Sequence, residues 1–143
     1  RSDIDVIVAR PFNIFGPGQD DHFLIPHILR QVEKRQPIHV KDLSPKRDYL
    51  YIDDFIEFLI KTLEGPAGYN IFNVGSGISL SVEQVISVVQ SVAGTTLPVT
   101  SSGEARRNEI NDVYANVHKA RAVLRWTCRT SFRDGVERML CNK

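Results

Sequence analysis

Arg47-Asp48-Tyr49-Leu50-Tyr51-Ile52-Asp53-Asp54 is the run whose reading decides the fold. Side chains alternate along an extended segment, so Tyr49, Tyr51 and Asp53 share one side and Leu50 and Ile52 the other. Asp54 and Glu57 make a D-x-x-E pattern ahead of an apolar run, which marks a helix start. Phe55, Ile56, Leu59, Ile60 and Leu63 recur at helical spacing, and Gly65-Pro66 ends the run. The pattern predicts a strand feeding a helix pinned against a core, with Arg47 at the mouth of the segment. The same spacing also suits a surface arginine beside a buried helix.

Upstream, the loop from Lys41 to Lys46 delivers the chain to Arg47. Lys46 and Arg47 together suit an anion, and the arginine fork suits bidentate phosphate contact. Ile38-His39-Val40 is a short strand, set off by Gln36-Pro37. From Leu24 to Lys34 the spacing predicts a helix with Ile25, Ile28, Leu29 and Val32 on one face, and Pro26 in a first turn that tolerates it. Gly16-Pro17-Gly18 is a turn cluster. Ile4 to Ala9 reads as a strand buried on both faces of a parallel sheet, and ligands bind beyond the carboxyl ends of such strands. Asn13 stands in that place, with a donor and an acceptor. An isolated asparagine there also suits a turn that bonds its own backbone.

Downstream, Tyr69 to Val74 predicts a second strand, ended by Gly75-Ser76-Gly77. That triplet is not a dinucleotide fingerprint, because a G-x-G-x-x-G pattern needs glycine where Leu80 stands. Ser81 and Gln84 make a capping box for a helix carrying Val82, Val85, Ile86, Val89 and Val92, closed by Gly94. Leu97 to Thr100 is an edge strand, since proline is confined to edges and strand starts. Arg106-Arg107-Asn108-Glu109 brings a second cationic pair and a carboxylate, on what also suits a solvated loop. Val113 to Ala115 is extended. Asn116 caps a helix over 117–125, and Ser131 with Asp134 starts a last helix with Phe132, Val136, Met139 and Leu140. The rhythm of strand and helix places the chain in the α/β class.

With 143 residues, 42% of them hydrophobic and 24% charged, the chain has material for one domain with a real core. A net charge of +1 supplies no broad field for nucleic acid. No apolar run is long enough to span a membrane, and none reads as a signal peptide. His22, His27 and His39 lack metal-ligand spacing, so no metal is expected. Cys128 and Cys141 form no C-x-x-C pair and read as free thiols in a reducing compartment, the cytoplasm. The chain begins at Arg1 and its only methionine is Met139, so it is read as a processed or truncated piece of a larger protein.

Three stretches together resemble the extended short-chain dehydrogenases that form the NAD-dependent epimerase/dehydratase family acting on nucleotide sugars. UDP-galactose 4-epimerase and GDP-mannose 4,6-dehydratase are members. Arg10 to Gln19 looks like the segment after the sixth Rossmann strand. Arg47 to Asp54 is similar to the R-D-Y/F-x-Y/H-V-x-D segment, and Tyr69 to Gly77 to the Y-N-x-G-x-G region. The resemblance implies an α/β fold, the C-terminal part of a Rossmann-type extended short-chain dehydrogenase with its small substrate-binding subdomain. On this reading residues 1–143 are the C-terminal substrate-binding portion, and the N-terminal dinucleotide-binding portion lies outside the chain. Members also carry a Y-x-x-x-K pair. Tyr49, Tyr51, Tyr69 and Tyr114 are followed four residues on by Asp53, Phe55, Asn73 and His118, so no catalytic residue is expected here.

What carries over belongs to the substrate side. The resemblance places Pro11 and Phe12 by the nicotinamide of NAD or NADP. It puts Asn13 and Arg47 on the substrate diphosphate, and the Leu24 backbone at the base. Arg106 and Glu109 match a pair that holds phosphate and ribose, with Glu109 where Asp is usual. The implied partner is a nucleotide-diphosphate sugar, and the full-length protein is expected as a homodimer. The alternative is a non-catalytic nucleotide-sugar-binding or structural module of the same fold. In either case the isolated chain is expected to have no turnover. Exposed strand edges at residues 4–9 and 70–74 are expected to favour self-association if nothing covers them.

Overall fold

The computed structural model describes residues 4–104 and 110–141. The elements follow in order as β1 (Val6–Pro11), β2 (Asn13–Phe15), α1 (Leu24–Glu33), β3 (Ile38–Val40), β4 (Lys46–Tyr51), α2 (Ile52–Thr62) and β5 (Tyr69–Val74). Then come β6 (Ser79–Ser81), α3 (Val82–Ala93), β7 (Val99–Ser101), β8 (Asp112–Val113), α4 (His118–Leu124) and α5 (Phe132–Cys141). The α/β class holds, and all strand pairs are parallel except β4 with β6.

β4 is the hub. Its second half pairs with β2, Asn13 opposite Tyr49. Its first half pairs with β6 on one edge and β8 on the other, Arg47 opposite both Leu80 and Val113. The expected alternation is seen in the packing. Tyr49 and Tyr51 enter one apolar cluster with α1, α3 and α5, while Leu50 enters a second with Phe58, Phe72, Val74, Leu124 and Trp126. Phe15, Tyr49, Tyr51 and Phe132 form a group of rings with centroids 5.1–5.5 Å apart, an edge-on and tilted geometry that favours aromatic contact. Helix α5 comes so near that a Cβ on Gly135 would stand 2.6 Å from the Phe15 ring and 2.9 Å from Tyr51. Only glycine fits there.

Helix α3 begins as its sequence requires. The Ser81 hydroxyl accepts from the Gln84 amide at 3.1 Å, the Gln84 side chain accepts from the Ser81 amide at 2.8 Å, and Gly94 closes the helix in the left-handed region at φ 63°. Helix α1 buries Ile25, Ile28, Leu29 and Val32 as expected, and Pro26 with them.

Helix α2 departs from expectation. It starts at Ile52, so Asp53 and Asp54 lie in its first turn and the D-x-x-E pattern is not its cap. Asp53 no longer shares the strand face of the tyrosines; it is exposed and meets Arg138 at 3.1 Å. Ile56, Leu59, Ile60 and Leu63, expected on the core, are 42–83% exposed, and Phe58 is buried instead. The apolar spacing does mark a face, but β5 and α4 are covered from the neighbouring one. Strand β1 is likewise shifted to Val6–Pro11 and is not buried on both sides. It pairs with β5 alone among the described strands, and Val6 is 41% exposed. Smaller differences concern β7, which is Val99–Ser101 beside β3, and β8, which is Asp112–Val113 rather than a strand reaching Ala115. Helix α4 starts at His118, with the Asn116 side chain accepting the His118 amide at 3.1 Å.

Candidate functional site

Of the site residues read from the sequence, Asn13 and Arg47 lie on the neighbouring strands β2 and β4. Asn13 opens β2 opposite Tyr49, and Arg47 lies two positions earlier on β4, about 6.6 Å along the strand. Asn13 does not close a turn on its own backbone. Its amide donates across strands to the Asp48 carbonyl at 2.9 Å, which orients the side chain at an exposed position. Arg47 is half-buried, and its Nη1 donates to the carbonyls of Lys46 at 2.7 Å and Ile110 at 2.8 Å. One arm of the fork is thus tied to backbone, which fixes where the cation sits. Lys46 approaches Asp112 at 3.9 Å in solvent, a contact of small energy.

Asp48, which sequence reasoning passed over, organises this corner. It is fully buried. One carboxylate oxygen accepts from the Ser76 amide at 2.8 Å and the Ser76 hydroxyl at 2.6 Å. The other accepts from the Gly77 amide at 2.8 Å and the Ala115 amide at 3.0 Å. Burial of a carboxylate is costly unless such donors replace water, and here four do. The Gly75-Ser76-Gly77 turn is therefore a cradle for a side chain of the protein. A Cβ on Gly75 would lie 2.7 Å from the Asp48 carboxylate and 2.6 Å from the Ala115 methyl. A signal existed: alternation puts Asp48 on the side of Leu50, and an aspartate on an apolar face needs donors.

Pro11 ends β1, and Phe12 links it to β2. Pro11 is exposed opposite Val74, and the Phe12 amide donates to the Val74 carbonyl at 2.9 Å. Leu24 is elsewhere, half-buried at the start of α1 and packed on the first cluster. Arg106 and Glu109 lie outside the described residues. Among the described residues no group of three or more His, Cys, Asp or Glu is placed to hold a metal, and no helix is long and apolar enough to cross a membrane.

The titratable groups nearby are poor proton carriers. Burial pushes the Tyr49 phenol up to about 12, against the opposing pull of Arg47. Tyr51 is also raised, by burial first and then by Asp53. Burial, with Asp54 beside it, pushes the Cys128 thiol up to about 12, away from a nucleophile's range. What this corner offers is an arginine and an amide on adjacent strands, each held by hydrogen bonds to backbone carbonyls.

The NAD dependent epimerase/dehydratase family matches over residues 1–75. The UDP-glucuronate 4-epimerase of Thermodesulfobacterium geofontis is 29% identical over 144 residues, covering 94% of this chain and 42% of that protein. The structure of RMD from Pseudomonas aeruginosa complexed with NADPH superposes with a TM-score of 0.88 at 26% identity, over 96% of this chain and 48% of that one. MoeE5 in complex with UDP-glucose and NAD gives 0.86 at 28% identity, over 98% and 48%. The chain thus spans about half the length of the proteins it matches.

Proposed function

The chain belongs to the NAD dependent epimerase/dehydratase family, and we propose that it is the C-terminal, nucleotide-sugar-binding portion of an NAD(P)-dependent epimerase or dehydratase. The observation that carries this reading is the placing of Asn13 on β2 and Arg47 on β4, two register positions apart, each tied to backbone by its own hydrogen bonds. A diphosphate carries two negative charges, and a guanidinium beside an amide donor meets them with charge-assisted bonds. Two relatives of known structure, MoeE5 and the UDP-glucose 4-epimerase of Thermotoga maritima, were crystallised with UDP-glucose, in keeping with this substrate class.

The roles are the ones the family resemblance implies. Arg47 clamps the diphosphate and Asn13 donates to it. The Leu24 backbone meets the base, and Arg106 and Glu109 meet phosphate and ribose. Pro11 offers no amide hydrogen and the Phe12 amide is spent on Val74, so this rim presents apolar surface. That surface suits the flat face of a nicotinamide; a pyrophosphate would need free amides. NAD or NADP, when bound, would take a hydride from a sugar carbon and return it, through a keto sugar. The acid/base pair that moves the hydroxyl proton would come from the remaining half of the protein, because none of the four tyrosines here has a lysine four residues on. The whole enzyme is cytoplasmic and a homodimer on this proposal. The alternative is a non-catalytic nucleotide-sugar-binding or structural module of the same fold.

Calorimetric titration of the chain with UDP, GDP and UDP-glucose tests the reading. Saturable binding of one nucleotide, weakened at least tenfold in Arg47→Ala, is expected. Binding unaffected by Arg47→Ala, or none to a folded chain, would sink the clamp. A cofactor-dependent rate from the chain alone would refute the assignment of proton transfer to the other half.

A further inference from the structure

A cavity of about 380 Å³ opens where the ends of β1 and β5 meet the start of α4. Its lining is Arg10, Ile71, Asn73, Asn116, His118 and Lys119, and includes none of the residues assigned to the nucleotide. We propose that this cavity is an oxyanion site, taking a carboxylate or a phosphate group.

The lining is one-sided. Arg10 and Asn73 are register partners on adjacent parallel strands, so their side chains share a face of the ribbon. The Lys119 ammonium sits 4.7 Å from the centre of the buried Phe72 ring, which holds it at the edge of β5. The Asn116 oxygen is spent on the His118 amide, so its nitrogen is the end left to donate. No carboxylate lines the cavity, and among the described residues neither Arg10 nor Lys119 has an ion-pair partner. Cations gathered without a counter-charge repel, and an oxyanion supplies both the charge and the acceptors. The volume lies within the range of small-ligand sites.

Two sources would supply this chemistry. Val6 and Tyr69 lie on the same face as Arg10 and are 41% and 69% exposed, so a polypeptide laid along that strip would bring an acidic side chain to Arg10. A free phosphate is the other source. The inference does not depend on the nucleotide-sugar reading.

The test is titration of the whole chain with acetate, inorganic phosphate and chloride at constant ionic strength, read by NMR at the Arg10 Nε–H and the Asn73 and Asn116 amides. Acetate or phosphate should shift these signals saturably, with half-saturation in the millimolar range, and chloride should not. Arg10→Gln should raise half-saturation at least tenfold and Lys119→Gln about threefold. Tighter binding of acetate assigns the site to an acidic side chain, and tighter binding of phosphate to a free anion; both support it. Linear shifts, equal shifts with chloride, or saturation that survives Arg10→Gln in a chain with an intact spectrum would overturn it.

Discussion

Two buried aspartates sit on the same short run and are satisfied in the same way for different ends. Asp48 gathers the Ser76, Gly77 and Ala115 amides and the Ser76 hydroxyl around the edge that carries Asn13 and Arg47. Asp54, in the first turn of α2, gathers the Arg129 amide at 2.9 Å, the Thr130 amide at 3.0 Å and the Cys128 thiol at 3.5 Å, and its carbonyl accepts the Trp126 indole at 3.1 Å. Both replace water with amides from distant segments. The first fixes the Gly75-Ser76-Gly77 turn and Ala115 beside β4; the second fixes the connection between α4 and α5. A buried carboxylate here is a joint between segments.

The difference is open to measurement. Asp48→Ala would leave three amides and a hydroxyl facing a void, at a cost of about 4 kcal/mol in unfolding free energy, and should weaken nucleotide binding as well. Asp54→Ala leaves two amides and a weak thiol donor unpaired, keeps the backbone carbonyl that Trp126 uses, and should cost about 2 kcal/mol by denaturant unfolding, with nucleotide affinity unchanged in the fraction that stays folded. Equal losses of affinity in both variants would abolish the distinction. Gly75→Ala drives a methyl onto the Asp48 carboxylate and Ala115, and should cost about 2 kcal/mol by the same measurement.

Alkaline pH probes both neighbourhoods through groups whose pKa is raised in the folded chain. Tyr49 and Cys128 rise from 10.0 and 9.0 to about 12. Above those lower values the unfolded chain gives up protons that the folded chain retains, so stability is full below about pH 9 and falls from there toward pH 12. Tyr49→Phe should flatten the upper part of that fall and Cys128→Ala the lower part, in unfolding followed as a function of pH. The smallest effect is expected at Ile60→Lys, on the exposed face of α2, within about 0.5 kcal/mol.

Period-2 alternation and a capping box made β4 and α3 legible in the sequence, because both signals are local. The α2 stripe misled because a 3.6-residue period locates an apolar face without saying what covers it; Phe58, outside the expected stripe, took the core. Asn13 and Arg47 were legible as a pair of polar groups near strand ends. Asp48 was legible only as an aspartate on the Leu50 side of the strand, because its donors come from positions that no local pattern links to it.

The joints also set an order of events during synthesis. Asp54 waits for amides as far as 76 positions ahead, and Asp48 for one 67 ahead. A nascent chain that has emerged only through α3 has Asp48 and Asp54 but lacks their last donors, so the β4–α2 corner stays open to proteases until the segment after α4 leaves the ribosome.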